Sequence, residues 1–116
     1  MNLTDLSQSQ WLKEHGAPQD TVEHIWSITR TTDWHISNVI PGDKSFYPDD
    51  WYAAYDLESL IRWLGNSFNH LERLTDGWEA EQWATKISIV PQSGYGNTPL
   101  EAVYALVQKI HTNPPL

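Results

Sequence analysis

The sequence predicts an α+β fold, a small and mostly antiparallel sheet with about three flanking helices, in a single domain covering residues 1–116. Three observations carry that reading. Apolar residues recur at helical spacing in three places, each behind a plausible cap. Short runs rich in β-branched residues lie between them, and two such runs are joined by an Asp-Gly turn. The composition is that of a folded chain, 40% hydrophobic with seven tryptophans and five tyrosines. A large ring buries about 150–250 Å², so a few rings build a core in a short chain. At 116 residues one domain is expected, because two separate cores would each be too small to offset chain entropy.

The elements follow in order. Thr4 to His15 reads as a helix: Thr4 can cap, Asp5 suits the positive N-terminal end, and Leu3, Leu6, Trp11 and Leu12 form a loose apolar stripe. Gly16 followed by Pro18 stops it. Thr21 to Thr32 reads as a strand by its β-branched content, and Trp34 to Ile40 as a second, ended by Pro41-Gly42-Asp43. Residues 41–55 hold two prolines among several aromatics and read as an ordered loop. Asp56 to Leu64 is a helix with Leu57, Leu60, Ile61 and Leu64 on one face, Asp56 as cap and Gly65 as terminator. Two strands, Ser67–Leu74 and Trp78–Ile89, flank Thr75-Asp76-Gly77. Alternation puts Trp78, Ala80 and Gln82 on one face and Glu79, Glu81 and Trp83 on the other. Pro91 to Asn97 reads as a loop. Thr98-Pro99-Leu100-Glu101 then opens the last helix with a cap, a proline at the first helical position and a capping-box glutamate. Leu100, Val103, Leu106, Val107 and Ile110 carry its stripe to about His111.

The charge narrows the kinds of partner. Fifteen acids against seven Lys and Arg give a net charge of −8, and the basic residues are scattered singly. Binding to a phosphate backbone needs clustered cations that release counterions, so direct nucleic-acid binding is not expected. An acidic surface instead suits a basic protein surface, or serves solubility alone. The longest apolar run of the C-terminal part, Ala102 to Val107, is far short of the roughly 20 residues that span a bilayer. Met1 to Asp5 carries no basic stretch leading into an apolar one, so no leader is expected. With no cysteine, disulfides and thiolate chemistry are excluded, and a cytoplasmic setting is expected.

No catalytic set, cofactor or metal site is expected from the spacing. His15, His24, His35, His70 and His111 fall on separate segments, without H-x-x-x-H or H-E-x-x-H. Asp33-x-His35 could put two ligands on one face of a strand, which leaves a small metal-dependent hydrolase, using a further carboxylate, as an alternative reading. Asp49-Asp50 read as turn or cap residues, and Glu79 with Glu81 as the solvent face of a strand. There is no G-x-S-x-G, and Ser93-Gly94-Tyr95-Gly96-Asn97 lacks the spacing of a phosphate loop.

The aromatics are the remaining handle. Phe46, Tyr47, Trp51, Tyr52 and Tyr55 fall within ten residues, with Asp43, Asp49, Asp50 and Asp56 around them. Tyr and Trp are over-represented at binding hot spots, and carboxylates steer a basic partner. Tyr47, Asp49, Asp50, Trp51, Tyr52 and Tyr55 are therefore the candidate binding residues, and their ligand a protein. A structural or assembly component is a further alternative.

The run Tyr55-Asp56-Leu57-Glu58-Ser59-Leu60-Ile61-Arg62-Trp63-Leu64, then Gly77-Trp78-Glu79-Ala80, then Gly96-x-Thr98-Pro99-x-Glu101-Ala102, forms a pattern. It resembles a broad group of small, uncharacterised proteins of phages, prophages and mobile elements, over residues 47–112. The resemblance implies helices flanking a small antiparallel sheet and brings no catalytic or binding residue with it. It also implies an accessory role, such as interference with a host defence protein.

Overall fold

The computed structural model describes residues 2–28, 33–40, 51–83 and 91–112. Its contacts divide the chain into two compact units, Met1–Ser59 and Leu60–Leu116, where the sequence reading expects one domain. Among the described residues there are three α-helices and six strands, so the fold is the α+β mix predicted, with every strand pair antiparallel. The strands are shared between two three-stranded sheets.

In the first unit, helix α1 runs Leu6–Glu14 and is capped by Asp5 rather than Thr4. The Gln8 backbone N–H donates to Asp5 Oδ1 at 2.7 Å, and the Asp5 N–H donates to Gln8 Oε1 at 2.9 Å, a complete capping box. Thr4 is one residue too early and is committed elsewhere. It is fully buried, its Oγ1 accepts from the Tyr55 N–H at 2.9 Å, and its own N–H donates to the Tyr55 carbonyl at 2.8 Å. The helix ends at Gly16 with φ of +88°, where Ala17 N–H returns to the Leu12 carbonyl and Gly16 N–H to that of Lys13.

Strands β1 (His24–Ser27), β2 (His35–Asn38) and β3 (Trp51–Ala54) form the first sheet, ordered β2-β1-β3. β3 is a correction, because it lies in the stretch read as a loop. Four residues without polar–apolar alternation carry no period-2 signal. Pairing with β1 (Trp26 opposite Tyr52, Ile25 opposite Ala53) holds them extended. Leu12, Val22, Ile25, Ala53, Ala54 and Tyr55 are buried in this unit.

Helix α2 (Leu57–Leu64) matches its prediction, with the Ser59 N–H donating to Asp56 Oδ1 at 2.8 Å and Gly65 at φ +71° behind it. A single 3₁₀ turn, Gly65–Ser67, leads into the second sheet. That sheet has the order β4-β5-β6, with β4 at Phe68–Leu74, β5 at Gly77–Gln82 and β6 at Gln92–Gly96. Thr75 and Asp76 make the turn, and Gly77 already pairs with Leu74. Gly77 is needed for a close approach: a Cβ there would stand 2.6 Å from the Gly96 carbonyl oxygen.

β6 is the second correction, a strand where a loop was expected. Its glycines argue against a strand by propensity, and packing overrides them. Helix α3 (Pro99–Thr112) lies on β6 and β5. A Cβ on Gly94 would come within 2.2 Å of the Leu106 nitrogen and 2.5 Å of the Ala102 carbonyl oxygen. Backbone meets backbone there. α3 opens as predicted, with the Glu101 N–H donating to Thr98 Oγ1 at 3.1 Å. Its buried stripe is Leu100, Ala102, Val103, Leu106 and Val107.

Candidate functional site

Of the six sequence-predicted binding residues, Tyr47, Asp49 and Asp50 lie outside the described residues. Trp51 and Tyr52 are half-buried on β3. Lys13 of α1 donates to the Trp51 carbonyl at 2.9 Å, and its ammonium stands 4.8 Å from the Trp51 ring centre and 5.1 Å from that of Tyr52. Trp34 adds a tilted ring contact to Tyr52 at 5.4 Å.

Tyr55 is a core residue and drops out as a surface for a partner, being 1% exposed. Its hydroxyl donates to the Pro18 carbonyl. Burial pushes the phenol pKa up to about 12, opposed by a hydrogen bond with Thr21 and assisted by the charge of Asp20.

Asp33 and His35 do meet, but through the Asp33 backbone carbonyl, 3.4 Å from His35 Nδ1. The other imidazole nitrogen lies 3.5 Å from Ser27 Oγ, which also pairs with Ser37 Oγ at 3.2 Å. Ser27 is 1% exposed, so this Ser-His contact is internal to the β1–β2 pair and offers no nucleophile to a substrate.

The second sheet assembles a group that the sequence spacing does not show. α3 covers one face through β5 and β6, and on that face Ala80, Gln82 and Gly94 are buried. Strand alternation puts His70, Glu72, Glu79, Glu81 and Tyr95 on the other face. Register brings them together: Glu72 is directly opposite Glu79, His70 opposite Glu81, and Glu79 opposite Tyr95. His70 Nε2 lies 3.9 Å from Glu72 Oε2 and 4.0 Å from Glu79 Oε1. Asn69 Nδ2 donates to Glu81 Oε1 at 2.9 Å. Tyr95 stands directly opposite Glu79 on β6, and that neighbouring carboxylate pushes its phenol pKa up.

Two exposed rings flank these acids, Tyr95 and Trp83, each 57% exposed. At the turn end of the same sheet, Leu74, Asp76, Trp78, Tyr95 and Asn97 line a groove of about 380 Å³. Lys109 Nζ stands 5.9 Å from the Tyr95 ring centre, so this ring already faces a cation of its own chain. Sequence reasoning put Glu79 and Glu81 together on one face, and the register keeps them there, but both are half-buried, the Glu79 side chain only 19% exposed. It missed Glu72, His70 and Tyr95, because cross-strand register is not written in either strand alone. The turn at Thr75-Asp76 was the available signal, since counting back from it pairs Glu72 with Glu79.

No helix among the described residues is long and apolar enough to cross a membrane. Compared with protein-family models, curated proteins and solved structures, the chain matches none.

Proposed function

We propose that the chain is a non-enzymatic, acidic protein-binding domain, an accessory protein of a phage or prophage that acts in the host cytoplasm. Its partner presents a basic surface, and in the leading version that partner is a host defence protein held in an inhibited state. The phage setting is supported by the Gly96 to Ala102 pattern and the helix before it.

The observation that carries the binding reading is the cross-strand pair Glu72–Glu79, with Glu81 beside it on the same face. Like charges directly opposite on neighbouring strands oppose the pairing. A cationic partner removes that repulsion and gains from it. The groove at the turn end of the sheet, lined by Asp76 and Tyr95 among others, offers a carboxylate and a ring to a lysine or arginine side chain. Carboxylates on an open face steer association and make it sensitive to salt.

Capture from a bacterial host lysate tests this, comparing the native chain with a Glu72→Lys/Glu81→Lys variant. The native chain is expected to retain a basic protein that moderate salt releases and that the variant fails to hold. Retention of the same proteins by both chains, or of none, contradicts the proposal.

A further inference from the structure

We propose that His70, Glu72 and Glu79 form a binding site for a divalent transition-metal ion of the zinc class. This goes beyond the protein-binding reading and does not rest on it.

The site is built by the hairpin. Period-2 alternation aims His70 and Glu72 from β4 to one side, and the Glu72–Glu79 pairing brings the third group from β5. All three ligand atoms lie within 4.8 Å of one another. The imidazole sets this apart from a patch of acids, because its Nε2 faces both carboxylates at nearly equal distances, 3.9 and 4.0 Å. Both distances are those of loose ion pairs, longer than the roughly 2.7–2.9 Å of a charge-assisted hydrogen bond, so the imidazole is not locked onto either carboxylate. Ligands bonded at about 2.0–2.2 Å around a tetrahedral ion stand roughly 3.4 Å apart. The widest separation therefore closes by at most roughly 1.4 Å, taken up mainly by the exposed side chains of His70 and Glu72, since that of Glu79 is only 19% exposed.

The donor set selects the ion class. One imidazole nitrogen with two carboxylates suits zinc and its neighbours, whereas magnesium and calcium take oxygen ligands and softer ions take thiolates. Tyr95 on β6 is the cross-strand neighbour of Glu79, so the third ligand is held on the central strand between β4 and β6. The side chains of His70 and Glu72 are 42% and 60% exposed, so the remaining coordination positions open to solvent. A bound dication also cancels the repulsion between Glu72 and Glu79. It is therefore expected to weaken capture of a basic partner by this face, which keeps the two proposals separable.

Calorimetric titration of the full-length chain with zinc chloride, and separately with magnesium chloride, tests the site. One zinc ion per chain is expected, with no comparable heat from magnesium, and zinc should shift the His70 ring resonances in NMR spectra. Affinity should fall about tenfold or more in Glu72→Gln and in His70→Ala, each of which removes one ligand. Circular dichroism checks that each variant is folded, and Glu72→Gln, a change at an exposed position, serves if His70→Ala is not. Absence of zinc binding overturns the site. So does zinc binding that Glu72→Gln leaves unchanged, or that shifts the rings of other histidines and not His70.

Discussion

Tyr55 lies in the same ten-residue span as Trp51 and Tyr52, and composition alone treats the three alike. The structure separates them by their neighbours. Trp51 and Tyr52 are half-buried beside Lys13, whereas Tyr55 is sealed in, with its hydroxyl on Pro18 and its backbone tied to Thr4 in both directions. This burial has a measurable consequence in alkali. An unfolded tyrosine loses its proton near pH 10, and in the folded chain Tyr55 holds it to about 12. Between those values the unfolded state binds fewer protons, so stability contributed below pH 10 is lost as the pH rises through the folded pKa. Urea unfolding across this range is expected to show a steeper loss for the native chain than for Tyr55→Phe. Parallel curves would mean that the hydroxyl is not buried.

At the scale of elements, legibility followed local signal. α2 and α3 were readable because stripe, cap and stop coincide within each segment, and their caps are Asp56 and Thr98 as expected. The β4–β5 hairpin was readable from its turn. β3 and β6 were not, since their extended backbones are imposed by strand partners distant in sequence, and in β6 by a helix resting on glycine. Gly94 makes that last point testable. Its missing side chain leaves room for the backbone of α3 at Ala102 and Leu106, and neither can move alone. Gly94→Ala is expected to lower stability by about 1–3 kcal/mol, as overpacking does, measured by urea denaturation. An unchanged midpoint would show that α3 does not approach β6 this closely. The candidate face was half legible for a related reason: alternation assigns Glu79 and Glu81 to one face, but only the register adds Glu72, His70 and Tyr95.

For the molecule as a whole, the surplus of acids matters through where it is placed. A net charge of −8 spread evenly would serve solubility and nothing more. Three glutamates drawn onto one face of the second sheet, two of them directly opposed, instead impose a local cost on the fold. That cost is what a cationic partner or a metal ion relieves, and the central claim is that the fold carries it for the sake of a ligand. The claim can be tested before any partner is known. Denaturation of Glu72→Gln in urea, with a chelator present to exclude metal, reads the charge pair directly. A gain in stability of about 0.2–1 kcal/mol is expected once the repulsion with Glu79 is removed. A loss of stability would show that Glu72 supports the fold, and the outer face would no longer be set apart for binding.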